Sequence, residues 1–148
     1  MRKLIGLLAA CGLLTLAGFT MPSGALAQAD RPERVVYHFN EGIEQASRGL
    51  EYIRNHLEVQ PKAQIVVVAH AAGVDFLMQG AKTKLGNDYR TPIEDLSLQG
   101  VKFAVCEITL RERNLPRSRF VPETSFVPSG VAEITRLQQR EGYAYLKP

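Results

Sequence analysis

Apolar and polar positions divide the chain into alternating extended and helical stretches. Val35 to Phe39 is β-branched and aromatic, the composition of a strand. From Gly42 to Leu57, apolar residues recur at Ile43, Ala46, Leu50, Ile53 and Leu57. That spacing of three and four predicts a helix with one buried stripe. Asn40 is placed to cap it, and Glu41 and Glu44 lie at its positive end. Pro61 closes this unit, and Ile65 to Ala69 follows as an unbroken apolar run, which predicts a strand covered on both faces. Val74, Leu77 and Met78 form a short helical face ended by Gly80, and Lys82 to Asp88 reads as a polar surface segment.

Thr91-Pro92-Ile93-Glu94 combines a capping box with proline at the first helical position, predicting a helix to about Gln99. Gly100 turns into a third strong strand, Val101 to Cys106. Thr109 to Glu112 is a second capping box, opening a short helix that ends near Asn114 before Pro116. Ser125 to Val127 is a short fourth strand. Ser129 caps a last helix with Val131, Ile134 and Leu137 inward, Gly142 closes it, and Tyr143 to Leu146 forms a terminal strand. The order β-α-β-α-α-β-α-β-α-β predicts an α/β domain of three layers around a mostly parallel five-stranded sheet.

The first 27 residues stand outside this pattern. Arg2 and Lys3 precede an apolar run from Leu4 to Phe19, and Ala25-Leu26-Ala27 offers small residues for cleavage, the layout of a secretory signal peptide. The run is shorter than the roughly 20 residues a membrane-spanning helix needs. A competing reading takes Leu8-Ala9-Ala10-Cys11 as a lipoprotein box that leaves Cys11 lipidated, although the sequence stays apolar beyond that cysteine. Cleavage after Ala27 predicts a periplasmic or secreted chain with no membrane segment, a lead-in over 28–33 and one domain over 34–148. Loss of Arg2 and Lys3 reduces the 18 basic residues to 16 against 15 acidic ones, so the net charge excludes the basic excess of a nucleic-acid surface.

Of the 2 cysteines, Cys11 leaves with the leader and Cys106 remains alone. A lone thiol in an oxidising compartment is buried, paired between chains, or used. In open parallel sheets, ligands bind beyond the carboxyl ends of the strands. Asn40, His70 and Cys106 each end a predicted strand. A helix starting near Thr109, with Arg111 and Arg113 in it, would favour the Cys106 thiolate, while Glu107 would oppose it. Cys106 as nucleophile and Cys106 as a small core residue are equally open on these grounds. His70 could activate the thiol or simply end its strand; His38 reads as a structural strand residue and His56 as solvent-facing. Arg111 to Arg119 reads as a solvated loop able to meet an anionic partner. No metal-ligand spacing, phosphate loop or nucleophile elbow occurs, so no metal or cofactor is expected.

Gly100 to Cys106, followed by Leu110-Arg111-Glu112-Arg113-Asn114-Leu115, resembles the cysteine segment of the DsrE/DsrF-like proteins. Val127 to Ile134, then Gln138 and Gly142-Tyr143-Ala144-Tyr145, resembles the C-terminal signature of the exported branch of that family. The resemblance implies a flavodoxin-like (DsrE-like) sheet and a homotrimer or homohexamer. It also implies a sulfurtransferase-type role in which sulfane sulfur rides on Cys106 as a persulfide and passes to a partner; that role falls on Cys106 alone, and His70, Asn40 and Arg111 are supporting candidates by their positions along the chain, not by the resemblance. Two other readings remain: a non-catalytic assembly module with an inert Cys106, and a thiol redox sensor.

Overall fold

The computed structural model describes residues 31–148. The segment expected to be a signal peptide, residues 1–27, and Cys11 within it lie outside the described residues. Strands β1 (Arg34–Phe39), β2 (Gln64–Ala69), β3 (Lys102–Cys106), β4 (Thr124–Val127) and β5 (Ala144–Leu146) form one sheet in the order β4-β3-β2-β1-β5. Every pairing is parallel, as the βαβ order predicts. The helices are α1 (Ile43–Val59), α2 (Arg90–Leu98), α3 (Glu107–Glu112) and α4 (Gly130–Glu141), with short 3₁₀ turns at Ala71–Leu77 and Arg117–Arg119.

Side-chain alternation along the strands separates two apolar layers. Tyr37, Phe39, Ile65, Val67, Phe103 and Val105 face the larger layer, against the stripe of α1 and the buried faces of α2 and α3. Val36, Val66, Val68 and Ala104 face the smaller layer, where only Ile134 and Leu137 of α4 complete the buried cluster. β2 contributes to both layers, which explains its unbroken apolar run. The α4 layer therefore covers less of the sheet, and polar residues stand at its rim.

Four local expectations change. α1 is preceded by Gly42 with no side-chain cap; Gln45 Oε1 instead accepts the Asn40 and Glu41 N–H groups at 2.9 and 2.8 Å. α2 starts one residue before the expected cap at Thr91, and Asp88 Oδ1 accepts the Arg90 N–H at 2.7 Å. α3 starts at Glu107, directly after Cys106, because the Thr109 hydroxyl is committed to another segment. Val131 is 59% exposed rather than inward. The cap at Ser129 is as expected: its hydroxyl accepts the Ala132 N–H, and Gly142 closes α4 at φ 70°.

Candidate functional site

Cys106 ends β3 and serves as the N-cap of α3. β2 and β3 pair Val68 with Ala104 and Ala69 with Val105, so the next rung sets His70 beside Cys106. Both side chains lie beside Gly130 at the start of α4. A Cβ at that glycine would lie 3.2 Å from the Cys106 Cβ and 3.2 Å from the His70 Cβ. Glycine is what lets α4 approach the two strand ends this closely.

The thiol is buried, with Cys106 4% exposed. Burial pushes its pKa up, but the backbone of Thr109, Gly130 and Ile108 and the Thr109 hydroxyl pull it down, and their sum holds the pKa below the ordinary thiol value; the Cys106 side chain closes no cap hydrogen bond on α3. These groups come from the first turns of two helices, α3 and α4, so both macrodipoles add to the preference for an anion. Glu107, expected to oppose the thiolate, is paired with Arg117.

His70 leads on to His38. The rings lie end to end with planes 24° apart and centroids 4.8 Å apart, and the two Nε2 atoms are 2.7 Å apart. His38 Nδ1 lies 2.7 Å from the Tyr145 hydroxyl on β5. Burial, then His70 and Lys147, lower the His38 pKa to about 4 against the opposing pull of Glu41. Burial and Lys147 also lower that of His70. His38, expected to be a structural strand residue, is brought to the site by its contact with His70. The signal lay in alternation: His38 shares the face of Val36, as Cys106 shares the face of Ala104, once the register is known. Tyr145 carried no signal, because its partner lies 107 positions away.

Asn40 stands immediately after β1, and its Oδ1 is buried without a hydrogen-bond partner among the described residues. Arg111 does not join the thiol. It is exposed on α3 and lines a separate groove of about 590 Å³ with Leu110, Asn114, Leu115 and Arg117. Arg113 instead binds the Ala71 carbonyl at 2.9 Å and Asp75 at 2.7 Å, bracing the turn after His70. His56 is not freely solvated: its Nδ1 is 3.0 Å from the Tyr37 hydroxyl and its Nε2 3.1 Å from Glu33. Among the described residues no group of three or more His, Cys, Asp and Glu side chains could hold a metal ion.

Comparison with curated proteins returned no match. Among solved structures, a protein of unknown function from Methanobacterium thermoautotrophicum, MTH1491, aligns at 32% identity with a TM-score of 0.69, over 78% of this chain and 99% of its own. The YchN protein of E. coli has the same fold at 14% identity and a TM-score of 0.66, over 78% of this chain and 99% of its own. The family model described as "DsrE/DsrF-like family" matches residues 25–148, and the chain belongs to that family.

Proposed function

We propose that this protein is an exported sulfur carrier: Cys106 accepts sulfane sulfur as a persulfide and hands it to an acceptor. The observation that carries the reading is the place of Cys106 where the starts of α3 and α4 converge, with the backbone of Ile108, Thr109 and Gly130 and the Thr109 hydroxyl holding its pKa down. A cysteine that only fills a core has no use for donors that favour its anion. A carrier needs them, because the thiolate is the attacking species and the same donors can bind the anionic persulfide. Family membership supports sulfur relay as the class of chemistry. The N-terminal pattern over 1–27 supports export, with release after Ala27. Assembly as a homotrimer or homohexamer belongs to the same reading.

The 4% exposure of Cys106 favours a second reading, an inert core cysteine in an assembly module. Intact mass separates the two. Mature protein is treated with polysulfide and weighed with and without reductant, beside Cys106→Ser. A carrier gains about 32 Da per sulfur, reversibly, and the variant gains nothing. If native Cys106 resists both polysulfide and iodoacetamide, the carrier reading is wrong. A gain of oxygen in place of sulfur would instead indicate a redox sensor.

A further inference from the structure

We propose that His70, His38 and Tyr145 form a proton relay that serves the sulfur exchanged at Cys106 and opens to solvent at the β5 edge of the sheet. The inference rests on the persulfide reading and extends it to the atoms that move the proton.

The residues follow the sheet from inside to edge. Cys106 belongs to β3, His70 follows β2, His38 is in β1 and Tyr145 is in β5, which are consecutive neighbours. A Cβ built on Gly130 would lie 3.2 Å from the Cβ atoms of both His70 and Cys106, so the two side chains start side by side under α4. Each of the two later links is 2.7 Å, and Tyr145 is 44% exposed. The separation is that of a hydrogen bond. A tetrahedral metal bound at roughly 2.0–2.1 Å to each nitrogen would hold them farther apart, at roughly 3.3 Å.

A bond between two Nε2 atoms holds one hydrogen, so only one of the two carries it. Two neutral arrangements satisfy the whole chain. In the first, the Tyr145 O–H donates to His38 Nδ1, His38 Nε2–H donates to His70 Nε2, and His70 keeps a hydrogen on Nδ1. In the second, His70 Nε2–H donates to His38 Nε2, His38 Nδ1–H donates to the Tyr145 oxygen, and His70 Nδ1 is bare. The second is what the first becomes after His70 has given a proton away and the chain has refilled it.

The surroundings keep the pair neutral. Burial first, and then Lys147, lowers the pKa of both rings; Glu41 opposes at His38 but is itself paired with Lys147 at 2.7 Å. On α4, Arg136 binds Glu133 and Glu141, and on α3, Glu107 binds Arg117, so these charges are already matched.

The donor that fits is a low-molecular-weight hydropersulfide, R–S–SH, because the buried sulfur admits only a small reactant or an extended end. The Cys106 thiolate attacks the outer sulfur, whose bond to the inner sulfur breaks with the electron pair going to R–S⁻. R–S⁻ takes the proton held by His70, through contact or one water. His38 and Tyr145 replace it from solvent, which had received the Cys106 proton on ionisation. The sum is thiol plus R–S–SH giving Cys106 persulfide plus R–SH, with no further oxidant or reductant.

The test measures release of cysteine from cysteine hydropersulfide as Cys106 is loaded, across pH, for the wild-type chain, His70→Asn, His38→Gln and Tyr145→Phe. Alkylation of Cys106 by iodoacetamide is followed in parallel. The relay requires loading to fall by about a hundredfold in His70→Asn and severalfold in Tyr145→Phe, within the usual span of proton-transfer effects. The alkylation profile stays that of the wild type, because backbone N–H groups hold the thiolate. Tyr145→Phe keeps the ring at a half-exposed site, so its result does not depend on whether the histidine variants fold. Loading at the wild-type rate in all three variants overturns the relay alone. A wild-type chain that alkylates but gains no sulfur overturns the persulfide reading, and the relay with it.

Discussion

The Thr109 hydroxyl accepts the backbone N–H of Ala71 at 2.9 Å, joining the first turn of α3 to the residue after His70. Ala71 has φ 50°, a left-handed backbone that a residue with a Cβ rarely adopts, and this bond helps to hold it there. The same hydroxyl helps hold the Cys106 pKa down. One side chain therefore fixes the turn that aims His70 and tunes the thiol beside it.

Thr109→Val is expected to separate those roles from packing. The methyl replaces the hydroxyl at nearly constant volume and leaves the Ala71 N–H, on an exposed residue, without its acceptor, at a cost of about 1 kcal/mol. Urea unfolding measures that loss, and the pH dependence of Cys106 alkylation moves upward in the same variant. Thr109→Ser restores both. An alkylation profile that stays in place in Thr109→Val would show that the hydroxyl has no hold on the sulfur.

Gly73 sits under the end of β1. A Cβ there would lie 2.2 Å from the Phe39 carbonyl oxygen and 2.3 Å from its carbon, both backbone atoms that no rotamer change can move. Gly73→Ala must push the Ala71–Leu77 turn off the sheet and with it Val74, Phe76 and Leu77, all buried. The expected loss is about 3 kcal/mol or more, at the upper end of overpacking effects. Thermal melts of Gly73→Ala and of Gly42→Ala, where a Cβ meets nothing within 4 Å, make the comparison.

The order of strands and helices was legible because each element carries its own period. β2 shows an unbroken apolar run, α1 a stripe of three and four, and α4 has Ser129 at one end and Gly142 at the other. Contacts set by register were not legible. The capping box at Thr109 has the right residues, but tertiary contact turned its hydroxyl toward Ala71, so α3 begins two residues earlier, at Glu107. Cys106 and His70 were each visible as strand ends, whereas the pairing of His38 with His70 needs the parallel register of β1 on β2. Arg111 looked suitable by proximity in sequence, yet α3 carries it onto the exposed side that lines the groove.

The histidine pair also gives stability a pH dependence. His38 titrates near 6.5 when unfolded and at about 4 when folded, and His70 shifts in the same direction. As pH falls through this window the unfolded chain takes up protons that the folded chain refuses, so stability declines from about 6.5 downward and levels below about 4. Urea midpoints taken through that range are expected to fall for the wild-type chain and to fall less for a His38→Gln, His70→Gln double variant. Equal slopes would mean that the pair carries no part of the acid sensitivity, leaving it to carboxylates such as Glu133, whose pKa is lowered by Arg136.

Gly130 tests the site without touching any of its functional groups. Gly130→Ala keeps the N–H that favours the Cys106 thiolate, but its methyl would stand 3.2 Å from the Cys106 Cβ, 3.2 Å from the His70 Cβ and 3.4 Å from its Cδ2. Contacts at that distance require a shift of a few tenths of an ångström, and α4 is free to give because only Ile134 and Leu137 are buried in its apolar layer. The helix start therefore moves away from the strand ends and draws its N–H from the sulfur. The expected result is a rise in the pH at which Cys106 alkylates, with a stability loss of about 1–2 kcal/mol. Val131→Ala, one position on and exposed, is expected to leave both within about 0.5 kcal/mol of the wild type or unmoved. Stability loss in Gly130→Ala with an unmoved alkylation profile would assign the thiolate preference to the α3 donors, Ile108 and Thr109, alone.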